Sequence, residues 1–193
     1  MNPQARFRDD VLYLGTKYFE VIRSGLRRDI AQASTFFGIP EGQLGYVIGS
    51  ISQQRLAELA SLGMPYQVPG PDSFAVSGAR TMRSSKGPLD QGLMVDWQKK
   101  ALDLANDHWW IARDWARESP GLAALQFGVG TNKEMQLIAD LPSRDIRELA
   151  ELTYDKLIME GSMAMQMSFL FADAEASPDR VAVARAGCLL LAA

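Results

Sequence analysis

Apolar residues recur at three- and four-residue intervals along most of this chain, the spacing that gathers side chains onto one face of an α-helix. In the first part, Leu14, Phe19, Ile22 and Leu26 keep that spacing and predict one long helix, which Gly25 weakens without breaking. Asp29 is placed to cap a second helix through Phe37, Gly38 to close it in the left-handed conformation, and Pro40 to open a third running to about Gly49. Ser52 then caps a fourth through about Leu62, with Leu56, Leu59 and Ala60 on its buried side. The plan returns further on: Ser119-Pro120 opens a second helix, Gly128 closes it, Thr131 or Asn132 caps a third, and Pro142-Ser143 starts a fourth. The fold class this predicts is all-α, in two tandem repeats of four helices.

The return has a fixed arithmetic. Residues 12–60 align with 102–150 at an offset of ninety without a gap, giving eleven identities in forty-nine pairs. Chance at average usage would give roughly three. The identities include Leu12/Leu102, Leu14/Leu104, Arg23/Arg113, Arg27/Arg117, Ala33/Ala123, Phe37/Phe127, Gly38/Gly128 and the run Glu58-Leu59-Ala60 against Glu148-Leu149-Ala150. Unmatched apolar positions agree in character, as at Phe19/Trp109, Val21/Ile111, Ile39/Val129 and Leu56/Ile146. The expected organisation is a first repeat over 1–62, a Gly/Pro/Ser-rich linker over 63–95, a second repeat over 96–172 and a tail over 173–193. The linker breaks helical periodicity, has room for one short strand at 73–77, and carries Arg80, Arg83 and Lys86. After the second repeat, 157–171 is rich in methionine, which suits core filling or a partner-binding face.

Charge adds an asymmetry. The net charge is -3, yet residues 1–100 hold twelve Lys/Arg against nine Asp/Glu while 101–193 hold eight against fourteen. A basic first half and an acidic second half argue against a strong solitary DNA binder and leave room for one acting inside a complex. The polar first ten residues and the lack of a membrane-length apolar run point to a cytoplasmic protein without membrane contact. One cysteine and one histidine are too few for an internal disulfide or a Cys/His zinc site, so no metal and no cofactor is expected. A phosphate-binding glycine loop, a Ser-His-Asp set and an acidic metal cluster are all missing from the sequence, which gives enzymatic activity no support and leaves no catalytic residues to name.

Candidate chemistry lies in helix ends and arginines. A helix-turn-helix presents polar or basic side chains near the start of its second helix. With the Phe-Gly-Ile segment as the turn, the recognition helices begin at Glu41-Gly42-Gln43 and Thr131-Asn132-Lys133. With the turn at Ser50-Ile51-Ser52, they begin at Gln53-Gln54-Arg55 and Ser143-Arg144-Asp145, with Arg147 one turn on. The second framing suits DNA better; the alternative is solvated helix ends. In the linker, Arg80, Arg83 and Lys86 are either a solvated stretch or a flexible arm on phosphates. Arg23 and Arg27, repeated as Arg113 and Arg117, sit one helical turn apart and share a face. They read as a phosphate or partner clamp, or as pairs with carboxylates such as Asp29, Asp114 or Glu118. His108 stands beside Trp109 and Trp110 and reads as a core or interface aromatic, since Phe19 fills the Trp109 position in the other copy.

The sequence Ala-x-x-x-Phe-Gly-Ile/Val, followed by a short helix ending in Ile and a Leu-x-x-Leu-Ala helix, occurs at 33–60 and again at 123–150. It resembles the D subunit of the flagellar master transcriptional regulator family, whose relatives also occur on mobile conjugative elements. The resemblance covers both repeats, roughly half the chain. It implies a helical subunit of a heteromeric transcriptional activator that binds promoter DNA with a C-type partner and works alongside RNA polymerase, in an oligomer. The family's D subunit is a single repeat that pairs with itself, so two copies in one chain suggest an intramolecular pseudo-dimer, the basic copy and linker facing DNA and the acidic copy facing protein. The C-type subunit has a four-cysteine zinc site, which one cysteine cannot supply. The alternative is an adaptor or anti-activator that occupies a regulatory partner without touching DNA.

Overall fold

The long amphipathic stretch at the start of the chain does form a single helix, α1 (Pro3–Arg28), and Gly25 is buried within it. A computed structural model describes residues 3–39, 49, 52–60, 64–68, 89–127 and 132–159. These residues are mostly helical. After α1 come α2 (Ile30–Phe37), α3 (Gln53–Ala60) and a two-residue strand β1 (Tyr66–Gln67). A 3-10 turn (Gln91–Leu93) precedes α4 (Asp96–Glu118), α5 (Pro120–Phe127), α6 (Asn132–Ala139) and α7 (Ser143–Thr153). A second 3-10 turn (Tyr154–Lys156) leads to β2 (Ile158–Met159), which pairs with β1.

The local signals act as their chemistry requires. Asp29 caps α2 by accepting from the Gln32 amide at 2.9 Å, satisfying one of the four amides that a helix start leaves without a partner. Gly38 ends α2 at φ 64, where its amide and that of Ile39 reach back to Thr35 and Ser34. Only a residue without Cβ adopts that conformation without strain. Pro120 stands first in α5, where its missing amide costs nothing.

Two compact units result. The first takes the described residues up to Tyr66 together with Ile158 and Met159; the second runs from Gln67 to Leu157. In the first, α1 carries α2 and α3. Leu14, Tyr18, Phe19, Ile22, Phe37 and Ala60 are fully buried there, and Tyr18 meets Phe37 edge-on at 5.8 Å and Tyr66 at 4.5 Å. Burial, with Tyr66 alongside, pushes the Tyr18 phenol well above its ordinary range. In the second unit α4 carries α5, α6 and α7, and Trp97, Leu104, Trp109, Trp115, Met135 and Ile146 form its interior.

Two departures from the sequence-based expectation stand out. The β1–β2 pair was not foreseen, since two-residue strands carry no readable periodicity. Ile158 and Met159, expected inside the second repeat at 96–172, lie instead with the first unit. The anticipated strand at 73–77, the basic residues Arg80, Arg83 and Lys86, the helix from Pro40, the start at Glu41-Gly42-Gln43 and the tail over 173–193 fall outside the described residues.

Candidate regulatory and nucleic-acid interface

The repeated arginines are held from within. Arg27 Nε donates to the Gly49 carbonyl at 2.8 Å, and Arg117 Nε donates to the Ala139 carbonyl at 2.7 Å. Both bonds span twenty-two residues, and their four ends lie ninety apart. Ala139 is the last residue of α6, so its carbonyl is one that no further helical turn can satisfy and that carries the negative end of the helix dipole. A guanidinium is well suited to such a site, supplying both a donor and a charge of the right sign. The Nε groups of Arg27 and Arg117 thus form a matching pair of backbone latches.

Arg23 and Arg113 continue the latch by different means. Arg113 is buried, donates from Nη1 to the Leu141 carbonyl at 3.2 Å, and lies 4.0 Å from the centre of the Trp110 ring. A guanidinium over an indole face gains attraction that strengthens as water is excluded. Arg23 donates from Nη2 to Gln53 Oε1 at 2.7 Å, and Gln53 Nε2 in turn donates to Glu20. Glu20 is the alignment partner of Trp110. The first unit therefore holds its arginine with a polar network, the second with an aromatic face and a carbonyl.

This bears on the helix ends proposed to read DNA. Gln53 and Gln54, at the start of α3, are both exposed, and Gln53 is bound into the Arg23–Glu20 network. Arg55 lies in α3, with its side chain outside the described set. At the start of α7, Ser143, Arg144 and Arg147 are all exposed. Arg144 makes an i,i+4 pair with Glu148 at 3.2 Å while its side chain stays 74% exposed, a pair worth little in water. Asp140 and Glu151, nearby in the chain, are exposed as well, and Asp145 is half-buried. Ser143, Arg144 and Arg147 are thus exposed at the start of α7, and Gln53 is exposed at the start of α3 with its amide bonded to Arg23 and Glu20.

His108 is a core residue. Its ring meets Trp109 and Phe127 edge-on, with centroids at 5.1 and 5.3 Å, and it is 1% exposed. Burial alone pushes its pKa down to about 3, so the ring is neutral at physiological pH. Its alignment partner Tyr18 is also fully buried and meets Phe37, the partner of Phe127, in the same edge-on manner. Sequence reasoning missed Thr153, whose hydroxyl accepts from Trp109 Nε1 at 2.7 Å and donates to the Leu149 carbonyl at 2.8 Å. A buried tryptophan next to a helix holding a lone threonine was the available signal.

Comparisons with protein-family models, with curated proteins and with solved structures find no match. No described helix is long and apolar enough to cross a membrane.

Proposed function

We propose that this chain is a duplicated D-type regulatory subunit, a cytoplasmic component of a heteromeric transcriptional activator that engages promoter DNA together with a C-type partner. The observation that carries the reading is the ninety-residue correspondence of the Arg27 and Arg117 latches, set among helices that start at Ile30 and Pro120 and at Gln53 and Ser143. In this proposal the two units act as an intramolecular pseudo-dimer, the Phe-Gly-Ile segment and the helix pairs around it serve as helix-turn-helix elements, and RNA polymerase is a further contact. The start of α7 presents Arg144 and Arg147 to solvent, where phosphates can reach them. The basic linker residues Arg80, Arg83 and Lys86 supply additional phosphate contacts.

A second reading, an adaptor or anti-activator acting on a partner protein, is favoured by the acidic residues Asp140, Asp145, Glu148 and Glu151 interspersed with those arginines, because they repel a polyanion. Mobility shifts of promoter DNA with the chain alone, with its C-type partner and with the partner alone separate the two. The activator subunit shifts DNA further with the partner, in a salt-dependent way; the anti-activator abolishes the partner's own shift. Absence of any effect at low salt would reject both.

A further inference from the structure

Ile158 follows directly on Leu157, yet Leu157 closes the second unit and Ile158 belongs to the first. β2 pairs with β1 and packs on α2, and Met159 is buried. The contact with the turn after α2 is tight. A methyl group built on Gly38 would lie 2.8 Å from Ile158 Cγ2, well inside the roughly 3.5 to 4.0 Å at which carbon atoms meet. Gly38 therefore answers two demands at once: the left-handed backbone at φ 64 and the approach of Ile158. Its neighbours Phe37 and Ile39 are 0% and 3% exposed, so the turn that β2 covers is itself part of the first unit's core. On the other side of the junction, the 3-10 turn Tyr154–Lys156 packs on α4 and α7, and Leu157 is 0% exposed. Leu157 thus packs within the second unit, while Ile158, 47% exposed, lies against Gly38 in the first.

We infer that Ile158 and Met159 form a strap: a strand supplied from beyond the second unit completes the first, and the Phe37-Gly38-Ile39 turn keeps its packing only while that strand is docked. The strap stands on these contacts and is independent of what the chain binds.

The test is native-state hydrogen exchange on the full chain, comparing the unsubstituted protein with Ile158→Asp. The strap requires amides of α1 and α2 to exchange faster by about tenfold or more, with α4 changed by less than about twofold. Unchanged protection in α2, or an equal rise in α4, overturns it. A milder double-mutant cycle of Gly38→Ala with Ile158→Ala guards against general misfolding. Gly38→Ala should lower the first unit's folding constant at least about threefold less in the Ile158→Ala background, because the clash is gone while the backbone strain remains. Strict additivity of the two substitutions would equally overturn the strap.

Discussion

Burying His108 as a neutral ring makes the second unit acid-sensitive in a window that can be worked out in advance. Folded, its pKa is pushed down to about 3 by burial; unfolded, it returns to an ordinary value of about 6.5. Above about pH 6.5 the ring is neutral in both states and contributes no pH dependence. Between about 6.5 and 3 the unfolded chain binds a proton that the folded one refuses, so stability falls with falling pH at about 1.4 kcal/mol per unit. At pH 5 the accumulated loss is about 2 kcal/mol, a figure set by the unfolded pKa and insensitive to the folded value so long as that lies well below 5. His108→Phe keeps an aromatic ring against Trp109 and Phe127 and removes the titration. Urea unfolding, followed by the fluorescence of four tryptophans that all lie in α4, should therefore show the difference in stability between pH 7.5 and pH 5 shrinking by about 2 kcal/mol in the variant. Carboxylates titrating near pH 5 are common to both proteins and cancel in the comparison. Because His108 is the only histidine, its Cε1 proton can be followed by NMR without assignment ambiguity. A folded-state midpoint near 6.5, or an equal loss of stability in both proteins, refutes the argument.

Other substitutions probe the remaining contacts. Thr153→Val preserves shape but strands the buried Trp109 indole N–H, and should cost about 1 to 3 kcal/mol in urea unfolding, with Thr153→Ser recovering most of it. Arg117→Met removes the donor to the Ala139 carbonyl and should cost about 1 kcal/mol while leaving the salt dependence of DNA binding unchanged; a slope reduced by about one would instead mark Arg117 as a phosphate contact. Gly15 sits where an added methyl would lie 3.1 Å from Ala60 Cβ, and the aligned position in the second unit is a fully buried alanine, Ala105. Gly15→Ala should therefore stay within about 1 kcal/mol of the parent in thermal unfolding, whereas Gly15→Leu should lose about 1 to 3 kcal/mol through overpacking of α1 against α3.

Much of the helical framework was legible in the residues, for reasons that are local. Asp29 and Gly38 mark helix ends by side-chain capping and backbone freedom, which depend on a few neighbours, and both act where the sequence places them. The buried positions Leu14/Leu104, Phe19/Trp109, Ala33/Ala123 and Phe37/Phe127 result from helical periodicity sustained at the same offset. The arginines were conspicuous because they recur, but their acceptors were not. Carboxylates are visible in a sequence, whereas a backbone carbonyl left open at a helix end, as at Ala139, becomes visible as an acceptor only once the helices are placed. Nor could periodicity disclose β1 and β2, or show that Ile158 closes on Gly38: the close approach depends on tertiary packing between segments 120 residues apart in the chain. The type of Gln53 and its place at a helix start suggest a DNA contact, whereas its network with Arg23 and Glu20 depends on a helix about thirty residues upstream.

The proposal that this chain itself touches DNA turns most directly on the exposed start of α7. Binding of the chain with its C-type partner to promoter DNA should be measured across a salt series, for the parent and for the double substitution Arg144→Gln, Arg147→Gln. Both arginines are exposed, so the double substitution leaves the core untouched. If they meet phosphates, the slope of log affinity against log salt should flatten by about two, at about 0.9 for each phosphate no longer neutralised. An unchanged slope and affinity in the double variant would contradict direct DNA binding at α7.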